Sequence, residues 1–175
     1  MPDTWITPEM EALAGAETGR QTSLPISASD IRKWAQALYF PTPPPRHYWD
    51  EKFACSTHWG GLVAPEEFNP FAWMTASGPP ERTQTFDVGS AGSSGVEGMF
   101  GVEAPATKFM LNGGMEVTYG VRMRPGDVIT SVSRHAGYAE REGRLGLMLF
   151  SYSDSEWTNQ RGEWVKTVRG TGIRY

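Results

Sequence analysis

Residues 39–74 read YFPTPPPRHYWDEKFACSTHWGGLVAPEEFNPFAWM. The stretch holds the chain's only cysteine, two of its three histidines and four of its eight phenylalanines. Prolines at 41 and 43–45 stop any helix that precedes them, because each lacks a backbone donor and restricts the residue before it. Trp49 to Ala54 has room for one or two helical turns, with Asp50 placed to cap them. Gly60 and Gly61 break the chain again. Pro65 then suits the first position of a helix over 66–76, and Glu66 and Glu67 suit its first turn. Phe68, Phe71, Ala72 and Thr75 would share one face of that helix, and its apolar flanks predict that it is buried.

Upstream, Ser27-Ala28-Ser29-Asp30 has the form of a capping box. Ile31, Trp34, Ala35 and Leu38 follow at i, i+3, i+4 and i+7, which predicts a helix over 28–39. A shorter helix is expected after Thr7, with Pro8 at its first position and Met10, Leu13 and Ala14 as its apolar stripe. Residues up to Pro25 read as connection. Downstream, 77–108 is a long segment without periodicity, Gly/Ser-rich between Gly89 and Gly95, of the kind expected of a lid.

The last third alternates as strands do. Met115–Arg122 is one strand, and Arg124-Pro125-Gly126-Asp127 carries the Pro and Gly positions of a type II turn. Val128–Ala136 is the next strand, followed by a turn centred on Gly143. Leu145–Tyr152 is nearly all apolar, as a strand buried on both faces would be. Asn159–Gly162 is a third turn and Trp164–Ile173 the final strand. One buried helix and an antiparallel meander of about four long strands make an α+β domain.

With 175 residues a single domain spanning 1–175 is the expectation. The net charge of -4 argues against nucleic-acid binding, which needs a basic face. A lone Cys55 permits no internal disulfide. The first thirty residues show no basic start followed by an apolar run, and no apolar run nears the ~20 residues of a membrane helix. A soluble, cytoplasmic protein is expected. The histidines lack ligand spacing and Cys55 has no second thiol, so neither a metal site nor a cofactor is expected.

WDEKFACSTHWGGLVAP at 49–65, LNGGMEVTYGVRMRPGDVI at 111–129 and the helix DIRKWAQAL at 30–38 together resemble the N-terminal domains of MaoC-like dehydratases. The resemblance implies the hot-dog fold, an antiparallel sheet wrapped around a central helix. It implies (R)-specific hydration of enoyl thioesters, or dehydration of 3-hydroxyacyl thioesters, carried by coenzyme A or an acyl-carrier protein. It also implies a homo- or heterodimer with another hot-dog subunit. Active members use an Asp-x-Asn-Pro-x-His segment, whose aspartate and histidine hold a water and shuttle its proton.

This chain departs from that segment. Aligned on Asp50 and Phe53-Ala54, the aspartate position is Pro43 and the histidine position is Tyr48. His47 lies one residue away. The candidate catalytic residues are therefore His47 and Tyr48, whose plainer roles are a loop histidine and a packed phenol. Pro65 replaces the glycine whose N–H would face the thioester oxygen. The resemblance places Gly61, Ala64, Asn112, Gly113 and Gly114 beside the substrate. The departures suit a subunit whose partner supplies the dyad. Two further readings stay open. One is a self-sufficient hydratase or thioesterase using His47 and a glutamate. The other is a non-enzymatic protein that binds acyl thioesters.

Further candidates have plainer readings beside them. His58 would position the Gly60 turn, and His135 would face solvent or a partner from its strand. Glu66 and Glu67 would stabilise a helix start. Arg122, Arg124, Arg134, Arg141 and Arg144 cluster around two turns, where they would be solvated or would meet carrier phosphates.

Overall fold

The computed structural model describes residues 4–72, 75–78, 95–144 and 146–175. In chain order these form α1 (Pro8–Glu11), β1 (Glu17–Thr22), α2 (Ala28–Tyr39), α3 (Glu51–Cys55), α4 (Val96–Met99), β2 (Met110–Tyr119), β3 (Ile129–Gly143), β4 (Gly146–Asn159) and β5 (Trp164–Arg174). The strands make one sheet in the order β1-β3-β4-β5-β2, antiparallel throughout. Among the described residues no helix is long and apolar enough to cross a membrane.

Local chemistry explains much of this. The Ser27 hydroxyl accepts from the Asp30 N–H at 3.0 Å and starts α2, which runs over the predicted residues. Thr7 caps α1 through the Met10 N–H, and Asp50 caps α3 through the Phe53 N–H. The turn at 124–127 closes through Asp127 N–H to Arg124 carbonyl at 3.1 Å. Gly126 takes the φ of 86° that its third position demands.

The sheet is a three-strand meander, β3-β4-β5, with one strand added at each edge. β1 was read as connection: its sequence ETGRQT is polar because it is an edge strand. β2 pairs with β5 rather than with β3, so 120–128 crosses the end of the sheet. β3 runs through Gly143, which pairs with Gly146, so the expected turn lies later. β4 is central, but only Leu149, Trp157 and Asn159 on it are buried, so it is not covered on both faces as expected.

The larger correction concerns 66–76, which forms no helix over its described residues. Pro70 cannot donate to Glu66 and keeps Asn69 out of the helical region. The Asn69 side chain accepts from the Phe71 N–H instead, at 3.0 Å. Two tight turns result, Phe68 N–H to Pro65 carbonyl and Ala72 N–H to Asn69 carbonyl. The apolar side chains still do what their spacing implied, with Phe68 1% exposed and Phe71 9%. They join Ile26, Ile31, Ala64, Met123, Ile129, Trp157 and Val165 in the main core, with Trp34 packed against it. α2 and this irregular segment together cover the sheet.

Part of the expected lid, 79–94, lies outside the described residues. Its described end is pinned: Glu97 on α4 is fully buried against Arg174.

Candidate functional site

The loop after α2 packs tightly. Trp49 donates from its indole to the Pro44 carbonyl at 3.0 Å, and Arg46 pairs with Asp50 at 2.5 Å. Residues 46–48 form one tight helical turn. Tyr48 is buried with Ala35 and Val63, and Tyr39 and Trp59 pack against this group. Burial, then a hydrogen bond with Tyr39, raises the Tyr48 pKa, so the phenol stays neutral and serves as a donor rather than a base. His47 is half-buried, its ring 4.1 Å from that of Tyr48. Burial lowers its pKa first, and the charges of Arg122 and His58 add to that. Its imidazole is therefore held neutral at pH 7. Pro43 is exposed and brings no carboxylate.

The Gly60 step leads into Leu62, Val63, Ala64 and Pro65, all buried. The Ala64 N–H donates to the Met123 carbonyl at 2.8 Å, and Pro65 has no N–H. Neither residue offers a free backbone donor for a developing oxyanion. Glu66 does not stabilise a helix start, since no helix follows it. Its carboxylate pairs with Arg122 at 3.0 Å.

Arg122 joins these pieces. It also donates to the Ala64 carbonyl at 3.4 Å and lies 5.4 Å from the Trp59 ring centroid. Arg124 donates to the Trp59 carbonyl at 2.7 Å. Beside them opens a cleft of about 700 Å³ that Tyr119 and Arg161 also line. His47, Tyr48, Gly61 and Ala64 thus gather around Arg122 and Arg124. The remaining arginines stand apart: Arg134 faces Glu17 at 3.7 Å and Arg141 covers the Phe150 ring.

Asn112, Gly113 and Gly114 do not join the group. They lie exposed on β2, about 17–24 Å along the strand from Tyr119 at ~3.4 Å per residue. A β-bulge explains the glycines. A side chain at Gly113 would come within 2.8 Å of Thr171 and 2.9 Å of Ile173, and Gly114 has φ 110°. The Asn112 side chain accepts from the Gly114 N–H at 2.9 Å.

Two buried polar arrangements escaped the sequence reading. Lys166 is 6% exposed and donates to the Glu66 and Phe68 carbonyls at 3.2 and 3.4 Å. Burial brings its pKa down to about 8. These carbonyls are free because 66–72 is not helical, which no local pattern announced. The second is Glu97–Arg174. Burial alone would raise the Glu97 pKa, but hydrogen bonds from Arg174 and Tyr138 outweigh it and hold it low. His135, expected to face solvent or a partner, is 2% exposed beside Tyr138, and its Nε2 has no hydrogen-bond partner among the described residues.

A family model for the FAS1-like dehydratase domain region matches residues 12–168. The chain belongs to that family. Its fold is the hot-dog fold of MaoC-like dehydratases, and solved structures agree. The MaoC-like dehydratase from Rhodospirillum rubrum superposes with a TM-score of 0.52 at 18% identity, over 93% of this chain and 92% of that one. The ChsH1-ChsH2 complex from Mycobacterium tuberculosis gives 0.63 at 15%, over 95% and 87%. The HadBC (3R-hydroxyacyl-ACP dehydratase) complex of the same organism gives 0.53 at 15%, over 92% and 96%. No curated protein sequence matches significantly.

Proposed function

We propose that this chain is a cytoplasmic subunit of an enoyl-thioester hydratase or 3-hydroxyacyl-thioester dehydratase, and that a second hot-dog subunit supplies the acid/base dyad. The observation that carries this is the content of the loop. Hydration needs one group to take a proton from water and another to deliver one to the α carbon. In this loop Pro43 is exposed and Tyr48 is a buried, neutral phenol, while the nearby Asp50 carboxylate is engaged with Arg46 and the Phe53 N–H.

The long exposed edge strand supports the need for a partner. Met110, Leu111, Met115 and Tyr119 on β2 are all exposed, Met115 at 69%. An apolar edge of that length invites another chain. Two of the superposed structures are complexes.

The test is reconstitution with a hot-dog subunit that carries an intact Asp-x-Asn-Pro-x-His segment. Replacing that subunit's histidine with alanine should abolish hydration, while His47→Ala in this chain should change it by less than about threefold. Loss of activity on His47→Ala, with assembly intact, would instead favour a site built on His47.

A further inference from the structure

α4 is held to the sheet by a charge rather than by an apolar face. Of its four residues only Glu97, the one that carries a charge, is buried. Met99 is 62% exposed, and Phe100 just beyond it 43%. A helix this short has no stability of its own. The segment therefore docks through one carboxylate. That carboxylate enters a built receptor. Arg174 donates to its two oxygens at 2.5 and 3.2 Å, and the Tyr138 hydroxyl donates at 2.7 Å. The guanidinium is 3% exposed and is braced on the Ser151 hydroxyl at 3.2 Å. Gly95 is glycine for a steric reason: a Cβ there would collide with the Glu97 carboxylate and lie 2.9 Å from Arg174 Nη1. His135 stands alongside on β3, 2% exposed, its ring 4.2 Å from that of Tyr138. Burial lowers its pKa first, and Glu97 and Arg174 then act on it in opposite directions. Its Nε2 has no hydrogen-bond partner among the described residues, so the receptor holds one polar atom more than Glu97 uses. Small residues lead away from it across β4 and β5, where Ser151 pairs with Gly172 and exposed Ser153 with Gly170.

We propose that Arg174, Tyr138 and His135 form a binding site for a short-chain carboxylic acid, and that Glu97 of the chain itself closes that site in this structure. A planar guanidinium with a second donor beside it is suited to a carboxylate from any source. A buried ion pair gains little net, because desolvation offsets the attraction. Exchanging Glu97 for a free carboxylate keeps the hydrogen bonds of the pair and gives up only the few contacts of α4. The ligand gains the spare His135 nitrogen, and the small residues beyond Ser151 leave room for what its carboxylate is attached to. Because Glu97 competes from within the chain, the apparent affinity is reduced by the fraction of chains in which α4 is released. None of these residues belongs to the group around Arg122, so the site stands apart from the thioester reading.

The test is titration of the full chain with sodium propionate, which reproduces the Glu97 side chain beyond its Cα, against sodium chloride at equal ionic strength. Backbone amide resonances and amide exchange are followed. Saturable shifts at Gly95, Phe100 and Tyr138, with faster exchange at 96–100, are expected for the native chain. Glu97→Ala should bind propionate about tenfold more tightly or better, since nothing then competes, and Glu97→Gln serves where alanine loosens the fold. Tyr138→Phe removes one donor and should weaken binding roughly tenfold. Propionate bound by Glu97→Ala while α4 of the native chain stays unmoved reduces the arrangement to a structural ion pair and overturns the proposal. No saturable shift in either chain overturns it too, as does a response that chloride reproduces or that Tyr138→Phe leaves unchanged.

Discussion

Lys166 gives the fold a pH signature. Its ammonium is buried under 66–72 against two carbonyls and the Trp157 ring, and the charge of Glu67 offsets only part of the burial. Burial lowers its pKa from 10.5 to about 8. In that interval the unfolded chain binds more protons than the folded one, so unfolding free energy rises with pH. At ~1.36 kcal/mol per unit, the gain between pH 7 and 9.5 is about 2 kcal/mol. Above pH ~10 the raised pKa values of Tyr48, Tyr119 and Tyr138 act the other way, because the unfolded phenols ionise first. The clean window therefore lies between about 8 and 9.5. Urea unfolding at half-unit steps measures it directly, in the native protein and in Lys166→Met, which keeps the length and removes the charge. The native curve should climb and the variant's should stay flat. A flat native curve, or an equal climb in Lys166→Met, would refute the burial argument.

Further expectations follow from the same structure. Arg174→Met strands the Glu97 carboxylate in the interior and should cost about 3–5 kcal/mol in urea unfolding, whereas Glu97→Gln together with Arg174→Met should recover part of that. Acid should weaken the fold as pH drops below ~6.5, because burial lowers the His135 pKa and the unfolded imidazole takes the proton first. His135→Phe should blunt that slope if it folds, and His135→Gln serves where phenylalanine does not fit. Gly113→Val should lower the melting temperature and raise amide exchange at 110–114 and 171–174, since its side chain would meet Thr171 and Ile173.

What the sequence disclosed depended on how local the cause was. α2 was legible because Ser27 caps it, its apolar residues recur at helical spacing and prolines end it. The turns at 124–127 and 159–162 were legible because glycine and proline mark them. The 66–76 segment misled because Phe68 and Phe71 keep a helical spacing that serves burial without a helix. There Pro70 and Asn69 outweighed the pattern, and the open carbonyls they create are what Lys166 satisfies. β1 was missed because an edge strand needs no apolar alternation. At the site, the quoted motifs led to His47, Tyr48, Gly61 and Ala64, which do gather. Asn112–Gly114 was matched by motif alone, and its glycines answer to the packing of β2 on β5. Glu97 and Arg174 are 77 residues apart, and no local pattern links them.

The proposed function requires that this chain does not activate water unaided. The direct measurement is the rate at which the purified chain hydrates a crotonyl-type thioester, followed by loss of the enoyl absorbance, alone and with a hot-dog subunit that has an intact dyad. The chain alone should show no turnover above background, and the pair should turn over robustly. Hydration by the chain alone at the rate of the pair would contradict the proposed function.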